Sequence, residues 1–107
     1  MIRSVLITER AKTDLRSYYL FAAEHAPATA AKWLLRFEVA LETLATNAER
    51  CTLAPENDLV DETIRQLHFG KGTSKFRALF LIRDSQVVVL HIRRGAMDRA
   101  KPRDLDY

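Results

Sequence analysis

The chain has almost none of the residues that staple small proteins together. One cysteine, Cys51, in 107 residues excludes an internal disulfide framework and any multi-thiol zinc site. No run approaches the roughly 18 uninterrupted apolar residues of a membrane span. The opening stretch Met1 to Ile7 is too short and too quickly polar for a signal peptide. These absences predict a soluble protein of a reducing cytoplasm with no membrane partner. Internal repeats and low-complexity tracts are missing too. What remains, 48% hydrophobic and 29% charged with three Gly and three Pro, describes one ordinary globular domain over residues 1–107. A chain of this length buries roughly two-thirds of its unfolded surface, enough for a core without a metal.

Charge is distributed unevenly. Residues 1–63 hold 7 Lys+Arg against 10 Asp+Glu, whereas residues 64–107 hold 10 against 4, so the formal +3 arises wholly in the second half. A one-sided basic segment suits nucleic acid or an acidic protein partner, and it also suits a plain solvated face.

Periodicity orders the elements. Ile2 to Ile7 is a short apolar run, after which Thr8 can cap a helix with Glu9 in its first turn. Ala11, Leu15, Tyr18 and Ala22 then recur at helical spacing to about Glu24. Pro27 suits the first turn of a second helix, along which Ala30, Trp33, Leu34, Phe37, Leu41 and Leu44 form an apolar stripe with Lys32, Arg36, Glu38 and Glu42 on other faces. The short connection makes the two helices antiparallel. Asn47 to Glu62 shows no period and reads as an irregular connection. The period then drops to two: Ile64 to Phe69, Lys75 to Ile82 and Gln86 to Arg93 read as strands joined by Gly70 to Ser74 and by Arg83 to Ser85. The predicted fold is α+β, with the order β-α-α-β-β-β and both helices on one face of a small antiparallel sheet; residues 99–107 are predicted to be a mobile tail.

Alternation sorts the faces. Phe76, Ala78, Phe80 and Ile82 share one, and Val88, Leu90 and Ile92 are set with them toward the helices. Arg77, His91 and Arg93 then project together from the other face, beside Leu79, Leu81, Val87 and Val89. That much apolar surface implies a cover from outside the chain, either a partner protein or a homodimer contact. Gly70-Lys71-Gly72-Thr73 lacks phosphate-loop spacing. His68 and His91 have no second ligand at metal spacing, and neither a metal nor a cofactor is implied.

Thr8-Glu9-Arg10-Ala11 leading into Asp14-Leu15, a long second helix, Phe76-Arg77-Ala78-Leu79-Phe80, and Val87-Val88-Val89-Leu90-His91-Ile92-Arg93-Arg94, in that order, resemble the RelE/ParE superfamily of toxin–antitoxin toxins. The resemblance runs to about Asp98. It implies a small basic toxin, made beside a cognate antitoxin that neutralises it, as homodimer or heterotetramer with it, and able to stabilise a plasmid. It implies one of two targets: DNA gyrase, poisoned without cutting of nucleic acid by the toxin itself, or messenger RNA cleaved on the ribosome. By that resemblance Arg77 would clamp phosphate or a target together with His91, Arg93 and Arg94, the apolar Leu79, Leu81, Val87 and Val89 would face the antitoxin, and Lys71 and Lys75 would join Arg77 and Arg93 in any ribonuclease chemistry. The RelE-like ribonucleases carry a lysine-rich second strand and a catalytic tyrosine near the end. This chain has Arg65-Gln66-Leu67-His68-Phe69 in that strand, Phe80 where a hydroxyl is frequent, and only Tyr107 late in the sequence. These departures favour the ParE-like branch, with a non-toxic binding module as a further alternative.

Overall fold

The computed structural model describes residues 2–72, 75–95 and 99–106. Thr73 and Ser74 of the expected hairpin loop, Asp98, and Tyr107 lie outside the described residues.

Strand β1 (Ser4–Ile7) runs directly into helix α1 (Glu9–Ala23), and Thr8 makes the joint. Its backbone is extended, and its hydroxyl accepts from the Ala11 N–H at 3.2 Å while lying 2.9 Å from the Val89 carbonyl. One side chain thus caps the helix and fastens it to the sheet. Helix α2 (Pro27–Glu42) begins with proline at a position whose missing N–H costs nothing. Residues 43–58 follow as short 3₁₀ turns, then come β2 (Arg65–Phe69), β3 (Phe76–Arg83) and β4 (Gln86–Arg94). Arg83 pairs with Gln86, so the β3–β4 turn has two central residues, the first being Asp84 at φ 29°.

The sheet order is β1-β4-β3-β2. Strands β2, β3 and β4 form the expected antiparallel meander, whereas β1 joins the edge of β4 in parallel, which the intervening helical hairpin permits as a crossover.

A β-bulge in β4 changes which residues share a face. Phe80 pairs with Val89 and Leu79 with His91, leaving Leu90 as an extra residue. The inserted residue shifts the alternation by one. Val87 and Val89 therefore lie with Phe76, Ala78, Phe80, Ile82 and Ile92 in the core under the helices, among Leu15, Phe37 and Leu41. Val88 and Leu90, expected to face the helices, lie on the outer face with Leu79 and Leu81. The aromatic stripe of α2 packs as core: Phe37 stacks at 4.5 Å on Phe69, and Trp33 lies 5.2 Å from Phe76.

The outer face is covered by the chain itself, contrary to the expectation of an external cover. Ala54, Leu59, Val60 and Ile64, together with Ala100 and Leu105, pack in one cluster with Leu79, Leu81, Val88 and Leu90. Residues 99–106, predicted to belong to a mobile tail, lie across this face, with Pro102–Leu105 forming a 3₁₀ turn and Leu105 only 5% exposed. Burial of these apolar groups supplies the driving force for that placement, roughly 1.5 to 3 kcal/mol for a leucine.

Candidate functional site

Register places three basic side chains in a row across the outer face, His68 opposite Arg77 and Arg77 opposite Arg93; burial and the neighbouring Lys75 and Arg77 lower the pKa of His68, so the two arginines carry the charge. Like charges directly opposed across strands destabilise a sheet unless something compensates. Two carboxylates do so, both from segments outside the sheet.

The first is Glu56, fully buried. Its two oxygens receive both terminal nitrogens of Arg77, at 2.9 and 2.8 Å, in a bidentate pair. Gln66 Oε1 accepts from Arg77 at 3.1 Å, and the Ala100 N–H donates to Glu56 at 2.8 Å. Burial alone would push the Glu56 carboxyl upward, but the Arg77 bonds and the Ala100 amide together outweigh it and bring it down to about 2. Arg77 is therefore a buried, spoken-for cation.

The second is Asp104. It accepts from Arg10 at 2.8 Å and lies 3.6 Å from Arg93. Arg10 also donates to Asp14 at 3.0 Å, Asp14 lies 2.6 Å from His91 Nδ1, and Arg93 approaches His91 Nε2 at 3.3 Å. Arg10, Asp14, His91, Arg93 and Asp104 thus close a ring joining α1, β4 and the C-terminal turn. Arginine has only donors, so His91 Nε2 accepts and the ring proton on Nδ1 goes to Asp14. Burial raises the carboxyls of Asp14 and Asp104, yet their partners carry both below the usual range: for Asp14 the His91 ring, the Ile92 amide and Arg10, for Asp104 the Lys101 amide and Arg10. The Ile92 N–H donates to Asp14 at 3.0 Å, so this carboxylate takes over the edge of β4 that β1 leaves after Val89.

The residues singled out from the sequence fall into separate places. Arg77, His91 and Arg93 do share the outer side, but buried or half-buried and engaged with carboxylates. Arg94 is opposite Phe76, and it lines an apolar pocket of about 260 Å³ with Tyr18, Phe21, Trp33 and Phe76 at the end of the helical hairpin. Lys71 and Lys75 are exposed around the β2–β3 loop. Leu79, Leu81, Val87 and Val89 are all at most 2% exposed, so none is available to an antitoxin in this conformation, Val87 and Val89 because the bulge turns them inward. Among the described residues no group of three or more His, Cys, Asp or Glu is placed to hold a metal ion. No helix among them is long and apolar enough to cross a membrane.

Glu56 and Asp104 were not singled out from the sequence, and Asp14 entered only as part of the helix motif, with no role in the site. Their signal was the charge asymmetry, since two of the three carboxylates that hold the basic half belong to the acidic one.

Solved structures share this fold, and two of them are toxin–antitoxin systems. The chromosomal ParDE toxin–antitoxin system of P. aeruginosa superposes with a TM-score of 0.71 at 22% identity, over 87% of this chain and 96% of that one. The toxin–antitoxin complex RelBE2 of Mycobacterium tuberculosis gives 0.53 at 22% identity, over 88% and 99%. No curated sequence matches the chain. The family model for the ParE toxin of the type II toxin–antitoxin system parDE matches residues 5–99. Through that match over nearly its whole length, the chain belongs to the ParE toxin family of type II toxin–antitoxin systems.

Proposed function

We propose that this toxin arrests growth by poisoning DNA gyrase through protein contact, is neutralised by a cognate antitoxin in the cytoplasm, and cuts no nucleic acid itself. The observation that carries the reading is the internal pairing of its arginines. Cleavage of RNA by attack of its own 2′-OH, which expels the 5′-oxygen, needs fixed cations on the phosphate, a proton acceptor for the 2′-OH and a donor for the leaving oxygen. Arg77 instead holds Glu56, and Arg93 sits between His91 and Asp104. A protein-binding mode requires no such set.

The antitoxin contact then belongs to the helical hairpin. Leu20 and Phe21 of α1 and Leu35 and Val39 of α2 are each more than half exposed, the largest exposed apolar side chains of the two helices. Both solved relatives are toxin–antitoxin systems, which agrees with a bound antitoxin here.

The test is induction of the chain alone in a bacterial host, following growth, message integrity and gyrase-linked DNA breaks in the same cultures. Arrest with intact messages and accumulating breaks is expected. Arrest with codon-spaced message cleavage would replace this reading with the ribonuclease one, and folded protein without arrest would leave a binding module.

A further inference from the structure

At the end of the helical hairpin, on the helical side of the sheet, lies a hollow of about 260 Å³. Tyr18 and Phe21 of α1, Trp33 of α2 and Phe76 of β3 form its walls, and Arg94 of β4 borders it. The walls hold one another in place. Phe76 meets the Tyr18 ring edge-on at 4.9 Å and the Trp33 ring at 5.2 Å, and Trp33 is braced in turn against Phe37 at 5.5 Å. Phe76 is 8% exposed and Ala30 only 2%, so the floor belongs to the core. Small side chains make the room, since Ala22, Ala26 and Ala30 stand where larger ones would fill it.

Charge selects among ligands. Four aromatic rings around a hollow would by themselves suit a quaternary ammonium through cation–π attraction. Among the described residues that line it, however, the one charged side chain is the exposed guanidinium of Arg94, and there is no carboxylate to receive a cation. The start of α2 acts in the same direction: Ala26 and Thr29 border the hollow, and that first turn has neither a capping side chain nor an acid. An anion is therefore favoured at the mouth and an apolar ring inside. Size narrows the choice further. The volume lies just under the roughly 300 Å³ at which sites for drug-sized molecules begin, room for one ring and a short acidic arm.

We propose that this hollow binds a small aromatic carboxylic acid, its ring among Tyr18, Trp33 and Phe76 and its carboxylate on Arg94. A planar guanidinium takes a carboxylate through two parallel hydrogen bonds, which fixes the direction in which the ligand enters. The proposal goes beyond the gyrase reading and stands apart from it, because binding is measured with neither gyrase nor antitoxin present.

The experiment is a fluorescence titration of the full chain. Trp33 is its only tryptophan, so the emission reports on the hollow directly. The probes are phenylacetate, phenylacetamide and phenethylammonium, which share a ring and differ in the charge of the arm. Phenylacetate should bind with a Kd of about 1 mM, the order reached by a ligand of about ten non-hydrogen atoms. The amide and the ammonium should bind at least tenfold more weakly, and in NMR spectra the signals of Ala22, Ala30 and the Trp33 indole N–H should move as phenylacetate is added. Arg94→Gln, at an exposed position, should keep the parent circular dichroism and reduce the acid to the affinity of the amide. Should that variant not fold, the ranking of the three probes by the parent decides alone. Equal affinity for all three, a preference for the ammonium, no saturation by phenylacetate, shifts confined to other residues, or an acid preference that survives Arg94→Gln would overturn the proposal. A tetrapeptide ending in phenylalanine that binds more than tenfold tighter than phenylacetate would overturn it too, by giving the hollow to the terminus of a protein.

Discussion

Replacing Arg77 by alanine should unfold the protein far more readily than it alters any surface property. The substitution leaves Glu56 fully buried, with backbone amides as donors and no countercharge. Removing one member of a buried pair costs about 3 to 5 kcal/mol. An independent route gives a similar figure. Glu56 moves from 4.5 to about 2 on folding, a shift worth about 3 kcal/mol at neutral pH. Because the folded value lies below the unfolded one, this stability is fully present above about pH 4.5 and is lost as pH falls toward about 2. Urea unfolding followed by circular dichroism should therefore show Arg77→Ala about 3 kcal/mol less stable at pH 7, with a difference that shrinks below pH 4. The double variant Glu56→Leu with Arg77→Met should recover most of the loss, since an apolar pair of similar volume avoids desolvating two charges. A toxin-dead Arg77→Ala that keeps the parent midpoint would refute the argument and make Arg77 a contact to the target.

Asp14→Asn should cost about 1 to 3 kcal/mol and speed amide exchange at Ile92 selectively, because it weakens acceptance from both Ile92 and His91. Unchanged exchange there would count against Asp14 as the edge partner of β4. Thr8→Ala should lower stability by about 1 kcal/mol for the cap, and somewhat more through its lost bond to Val89, measured by thermal melting. Leu35→Glu with Val39→Glu should leave the melting temperature within a few degrees while weakening antitoxin capture at least tenfold by calorimetry, as both side chains face solvent. Undiminished capture would move the antitoxin contact elsewhere.

The elements were legible in the sequence because each carries a local physical signature. Thr8 and Pro27 mark helix starts by what their side chains can and cannot bond, and the stripe from Ala30 to Leu44 follows from one face meeting a core. Parity along β4 was not legible, since a bulge leaves no trace in alternation: Val87-Val88-Val89-Leu90 is apolar throughout, so either phase buries the same chemistry. The cover escaped for a different reason. Residues 99–106 are mostly charged and lack a period, yet Ala100 and Leu105 suffice to anchor them once Glu56 and Asp104 have cations to meet. Of the candidate site, alternation located Arg77 and Arg93 on one side, but partners drawn from distant sequence decide whether such residues act outward or inward.

The bulge at Leu90 also divides β4 into two mechanical regimes. Before it, the strand is held on both flanks by backbone ladders, to β1 and to β3. After it, the β3 ladder continues while the opposite flank is held by a side chain, the Asp14 carboxylate, whose strength depends on charge. Ladder bonds between amides are indifferent to protons and salt, whereas an acceptor that is ionised weakens when protonated or screened. A single continuous strand therefore carries a solvent-insensitive half and a solvent-tunable half. Fraying under acid should start at its arginine-bearing end and stop at the bulge.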